Sequence, residues 1–205
     1  MPKTQEILSK LTSVANDYSL FAIIWHVVFF LLIIFLIMKW VQSVKTLNVL
    51  LCLPILSVAV FAWISGNPFN GALFTILTIL LLVFGLKTST GSISYSQLPF
   101  VVAGVILIVF SLVYPHFINT ESFVKYLYAS PVGLIPCPTL SLVIGFALIY
   151  NGFGSHSISL TLILFGLFYS VFGILKLAVY LDFFLLFGTL TLLIKYILSI
   201  KSPGL

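Results

Sequence analysis

Pro136-Cys137-Pro138-Thr139 places a thiol and a hydroxyl between two backbone breakers, just inside an apolar stretch that runs over 131–150. A proline within a helix removes an N–H and clashes with the carbonyl four residues back. In lipid every backbone polar group has to be satisfied inside the protein, so non-helical chain persists only where protein or a watery cavity surrounds it. With Pro138 at the first helical position, the helix would start near Cys137 and 131–136 would enter as non-helical chain. The positive end of such a half-helix, with Cys137 and Thr139, suits an anion or a substrate carboxylate. As thiolate, Cys137 suits a soft metal such as Cu(I). The competing reading is a proline-shaped helix entrance around an inert buried thiol.

Other chemistry-bearing residues are few. His26 follows Trp25 in an otherwise apolar segment, and an ionisable group in a spanning helix is a functional candidate by default. A neutral histidine bonded to a neighbouring helix is its alternative. His26, His116 and Cys137 make a metal set only if the helices gather them. Asp182 stands where two apolar segments turn and suits an N-cap, with Lys176 in reach as a partner or snorkelling to headgroups. Asn67-Pro68 signals a turn, and Asn16-Asp17 suits a cap on the first apolar helix. Cys52 and Cys137 lie far apart, so no disulfide framework is implied. There is no metalloprotease, nucleophile-elbow or Walker motif, and no pair of membrane carboxylates for a proton relay.

These residues are positioned by apolar segments. The chain has 205 residues, 61% hydrophobic and 6% charged, against roughly 25% charged in a soluble domain. It reads as one all-α integral membrane domain. After a polar segment 1–18 that suits an interfacial helix, spans are expected near 20–38, 47–64, 71–86, 98–114, 131–150, 157–177 and 179–197. That is a bundle of about seven transmembrane helices with a Pro-broken fifth. The first apolar stretch is followed by Lys39 without a small-residue cleavage site, so it reads as a span rather than a signal peptide. The net charge of +5, all from lysine, fits headgroup contacts and no nucleic-acid partner.

Counting spans assigns the residues to two faces. Side B, the face of the N-terminus, receives Asn16-Asp17, Asn67-Pro68, Tyr114-Pro115-His116, the entrance to Pro136–Thr139, and Lys176 to Asp182. Side A receives Asn151, His156 and five of the lysines, which slightly favours side A in the cytoplasm. Gly166, Ser170 and Gly173 share one helical face, the spacing of close helix packing, within the chain or between copies.

The order of motifs resembles a family of bacterial integral membrane proteins catalogued as domain of unknown function 6064. The shared marks are Asn16-Asp17 before the first span, Asn67-Pro68, Tyr114-Pro115, the Pro136–Thr139 run and Asp182-Phe183 before the last span, where Phe183 replaces the usual leucine. The tryptophan-proline of that family's first span has no counterpart here. The resemblance implies the bacterial inner membrane and the side B cluster, and brings no activity with it. The expectation is a multi-pass protein that binds or transports a small solute or soft metal ion at Pro136, Cys137, Pro138 and Thr139, with His26, Asn67 and Asp182 nearby. A non-catalytic subunit of a membrane complex and a thiol-dependent membrane enzyme are the alternatives.

Overall fold

In the computed structural model the described residues are 4–88 and 91–201. They form helices α1 (Thr4–Asp17), α2 (Ser19–Ile37), α3 (Val44–Ile64), α4 (Pro68–Lys87), α5 (Leu98–Val113), α6 (Val124–Ala129), α7 (Pro136–Ile149), α8 (His156–Leu177) and α9 (Phe183–Lys201). The 3-10 turns Asn151–Gly154 and Tyr180–Asp182 lead into α8 and α9. Helix starts follow local chemistry. Ser43, Asn67 and Ser155 each accept a first-turn amide, from Thr46, Asn70 and Ile158 respectively, and Pro68 occupies a position where no donor is needed.

Five helices are long and apolar enough to cross a membrane: α2, α3, α4, α8, and α9 with its leading turn. Helices α5 and α7 are apolar but shorter, at 16 and 14 residues, or ~24 and ~21 Å against a core of ~30 Å. The polar segment forms α1 as expected, whereas α6 is an additional short helix. Asn16-Asp17 does not cap α2: both residues end α1, and Tyr18 precedes α2 without a side-chain cap bond.

Helix α7 is the axis of the bundle. Every residue in it except Cys137 is buried, and α5, α9, α8 and α3 pack round it. A helix wrapped in protein need not match the bilayer thickness. Its tightest neighbour is α5, where Gly104 meets Gly145. A Cβ on Gly104 would lie 2.5 Å from the Gly145 carbonyl oxygen, and one on Gly145 would lie 2.8 Å from that of Gly104. The stripe of small residues on α8 is likewise spent inside the protomer. Ser170 is buried, Gly166 faces Thr189 and Ile144, and Gly173 faces Asp182. Self-association through that stripe would require these contacts to open.

Side B is closed by α1. Its residues Leu11, Val14 and Ala15 join a second apolar cluster with Tyr114, Phe117, Ile135, Leu177 and Val179. The Asn16 side-chain amide donates to the Phe117 carbonyl at 2.9 Å, while its oxygen accepts the Asn119 amide, also at 2.9 Å.

Candidate functional site

The entrance to α7 shows what the two prolines do. The first four N–H groups of a helix have no intrahelical acceptor. In α7 the first position is Pro136 and the third is Pro138, neither of which has an N–H, and the Thr139 amide reaches Ile135 O at 3.4 Å. Only the Cys137 amide remains. The helix therefore starts at Pro136 rather than at Pro138, with Ile135 as its cap residue. The preceding turn is internally bonded, with Val132 N donating to Ser130 O and both Leu134 N and Ile135 N to Pro131 O. Thr139 completes it: its Oγ1 accepts the Gly133 amide at 2.8 Å and donates to Ile135 O at 2.7 Å. Thr139 is thus a clamp on the turn and not a ligand group. Thr139→Val strands the buried Gly133 amide, at about 1–3 kcal/mol. Hydrogen exchange at Gly133 is expected to accelerate, while exchange in the middle of α7 stays slow.

Cys137 points the other way. Its Sγ donates to Asp182 Oδ2 at 3.2 Å, and the Tyr114 hydroxyl donates to Asp182 Oδ1 at 2.9 Å. Asp182 is 1% exposed and Tyr114 is fully buried. Asp182 therefore does not cap α9. Its two oxygens are turned inward onto side chains from α7 and the end of α5. Gly173 makes this possible, because a methyl group there would overlap the Asp182 carboxylate. The negative group expected at the positive end of α7 comes from the chain itself: Asp182 lies beside the first turn, where the helix dipole favours it.

A cavity of about 220 Å³ opens beneath α1 onto this cluster. Ile7, Leu11, Phe69, Phe172 and Val179 contribute apolar wall, and Asn67, Asn70, Cys137, Tyr169, Lys176 and Asp182 contribute polar groups. Tyr169 donates to Asn70 Oδ1 at 3.1 Å, bridging α8 to α4. Of the residues expected at the site, Pro136, Cys137, Asn67 and Asp182 line one cavity. Pro138 and Thr139 are buried outside it.

The two histidines are elsewhere. His26 Nδ1 and Nε2 lie 2.8 and 2.9 Å from Ala22 O and Leu112 O, so the ring ties α2 to α5. His116 lies in the loop after α5, its ring tilted against Phe117, and burial lowers its pKa, favouring the neutral ring. Among the described residues no three His, Cys, Asp or Glu side chains gather closely enough to hold a metal ion. The set of Cys137, His26 and His116 is not assembled, because both nitrogens of His26 already face carbonyls in another helix pair.

Tyr114, Asn70 and Tyr169 escaped the sequence reading as site residues. A signal was present for all three: Tyr114 belongs to the Tyr114-Pro115 mark already assigned to side B. Asn70 lies one turn beyond Asn67, and Tyr169 shares the face of Gly166 and Gly173. Comparison of the chain with family models, curated proteins and solved structures finds no match.

Proposed function

We propose that the chain is a bacterial inner-membrane protein of the family named above, with seven spans and side A in the cytoplasm. In this reading it binds and carries a small amphipathic organic solute in the cavity under α1. The observation that carries the proposal is the cavity itself, whose surface is mostly apolar and whose lining includes Cys137, Asp182, Asn67, Asn70, Tyr169 and Lys176. The solute's apolar body packs on Phe69, Phe172 and Leu11. Its head is a neutral hydrogen-bond donor such as a hydroxyl, because Lys176 in the same lining disfavours an ammonium. A carboxylate has about four acceptor positions, and Tyr114 and Cys137 take one each. Asp182 therefore favours a donor over the anion that a bare helix N-terminus would attract. Cys137 and Asp182 alone offer a soft metal too few ligands. Nucleophilic thiols sit in electropositive surroundings, whereas Cys137 donates to a carboxylate.

The test is native mass spectrometry of protein extracted from its own membrane. Wild type is expected to retain an organic adduct of a few hundred daltons, and Ile7→Trp, which fills the cavity from the α1 side, is expected to lose it. Folded wild-type protein without any adduct would contradict the reading.

A further inference from the structure

A second cavity, of about 240 Å³, lies at the opposite end of the bundle. It is lined by Asn151 from the turn before α8, by Ser155, His156 and Ser159 at the start of α8, and by Lys195 and Tyr196 from α9. It is more polar than the first cavity: an ammonium, an imidazole and hydroxyls stand in its lining. Lys195 Nζ donates to Asn151 Oδ1 at 2.8 Å, a neutral acceptor. An ammonium has three donors, so two are left for a ligand. Ser155 accepts the Ile158 amide through Oγ and keeps its own hydroxyl proton. His156 packs its ring edge on Tyr196 with centroids 5.6 Å apart. The first turn of the 22-residue α8 adds the partial positive charge of its unbonded amides.

Charge distribution over the whole molecule is an independent observation. The chain has four acidic residues, Glu6, Asp17, Glu121 and Asp182. All lie at the side B end, in α1, in the loop before α6 and in the turn before α9. Lys39, Lys45, Lys87, Lys195 and Lys201 lie at the other end with no carboxylate side chain among them. Among the described residues the part-buried Lys195 therefore has no acidic partner.

We infer that this cavity binds a phosphate group. An ammonium, an imidazole, the Ser155 hydroxyl and a helix start on one space match the several oxygens of a phosphate, while Ser159 and Ser199 donate to the Gly152 and Tyr196 carbonyls. The space exceeds a bare phosphate, so the ligand is a phosphate monoester or diester with an organic body. At the end of spanning helices that body is either a lipid or a soluble metabolite, and the same experiment separates them. Thermal melting of the protein in a neutral detergent is followed against sodium phosphate, with sodium chloride of equal ionic strength as control. It is then followed against dihexanoyl phosphatidic acid, with dihexanoylglycerol as control. Stabilisation by inorganic phosphate points to a soluble phosphate, and stabilisation by the phospholipid alone points to a headgroup. In either case Lys195→Gln is expected to need at least tenfold more ligand, Lys195→Arg to bind like wild type, and Lys201→Gln, which removes the same charge outside the cavity, to be unaffected. His156→Gln supplies a weakened site should Lys195→Gln fail to fold. No stabilisation of wild type by either compound, or equal losses in Lys195→Gln and Lys201→Gln, would overturn the inference.

Discussion

Gly145→Val is expected to unfold the bundle at a markedly lower temperature than wild type. At this crossing α5 and α7 approach through their backbones, and a Cβ on Gly145 would lie 2.8 Å from both the Gly104 carbonyl oxygen and Ile108 Cγ1. A carbonyl oxygen in a helix cannot rotate aside as a side chain can. The clash has to be relieved by moving α5 away from the axis of the bundle, which also disturbs α9 and the loop that carries Tyr114. Overpacking commonly costs about 1–3 kcal/mol, and a backbone contact on this scale belongs at or above the upper end. The effect should be graded, with Gly145→Ala milder than Gly145→Val. Val105→Ala, on the exposed face of α5, should be nearly silent. Melting followed by circular dichroism in detergent checks the series. A Gly145→Val protein as stable as wild type would show that α5 and α7 do not meet at these glycines.

Asp182→Ala is expected to be the most damaging change at the site. It removes the acceptor of two donors, the buried Tyr114 Oη and the part-buried Cys137 Sγ. A stranded buried donor such as Tyr114 Oη costs about 1–3 kcal/mol, and the weaker, part-buried S–H of Cys137 adds less. Asp182→Asn keeps an acceptor for Tyr114 and should recover much of the loss. Tyr114→Phe and Cys137→Ala each remove one donor and leave the carboxylate its other partner, so each should destabilise less than Asp182→Ala. Denaturation of the four variants gives the order, and ligand-adduct mass spectrometry on those that fold separates stability from binding. If Cys137→Ala proves as harmful as Asp182→Ala, the thiol and not the carboxylate organises the cluster.

Much of the side B site was legible before the fold was known. Asn67-Pro68 and the Pro136–Thr139 run punctuate the chain clearly, so counting spans assigns Asn67, Cys137 and Asp182 to one end, and they line one cavity. What escaped has physical causes. Apolar sequence does not distinguish a helix facing lipid from one facing protein, since both environments select the same side chains. The burial of α7 was therefore invisible, and so was the Gly104–Gly145 crossing, whereas the shortness of α5 was already legible in the brief apolar segment 98–114. Local rules assign Asp182 to capping because Asp before a helix usually caps. Its real partners are 68 and 45 residues away in sequence. His26 looked functional because it is isolated among apolar residues, yet two backbone carbonyls from different helices engage it. Thr139 sits in the most informative motif and serves only the turn that leads into it. The double proline reads from sequence as a break. In three dimensions it removes two donors from a buried helix start and leaves Pro136 and Cys137 as the residues of that turn that line the cavity.

The central claim is that a small molecule reaches Cys137 through a cavity under α1. Its most direct test is the rate at which N-ethylmaleimide modifies each cysteine in membranes, read by peptide mass spectrometry. Cys137 lines the cavity, whereas Cys52 is buried in α3 among core side chains. The expected result is modification of Cys137 well before Cys52, slowed by Ile7→Trp, with Cys52 reacting only after denaturation. Equal rates at the two cysteines, or labelling of Cys137 that Ile7→Trp leaves unchanged, would contradict the cavity and the binding function built on it.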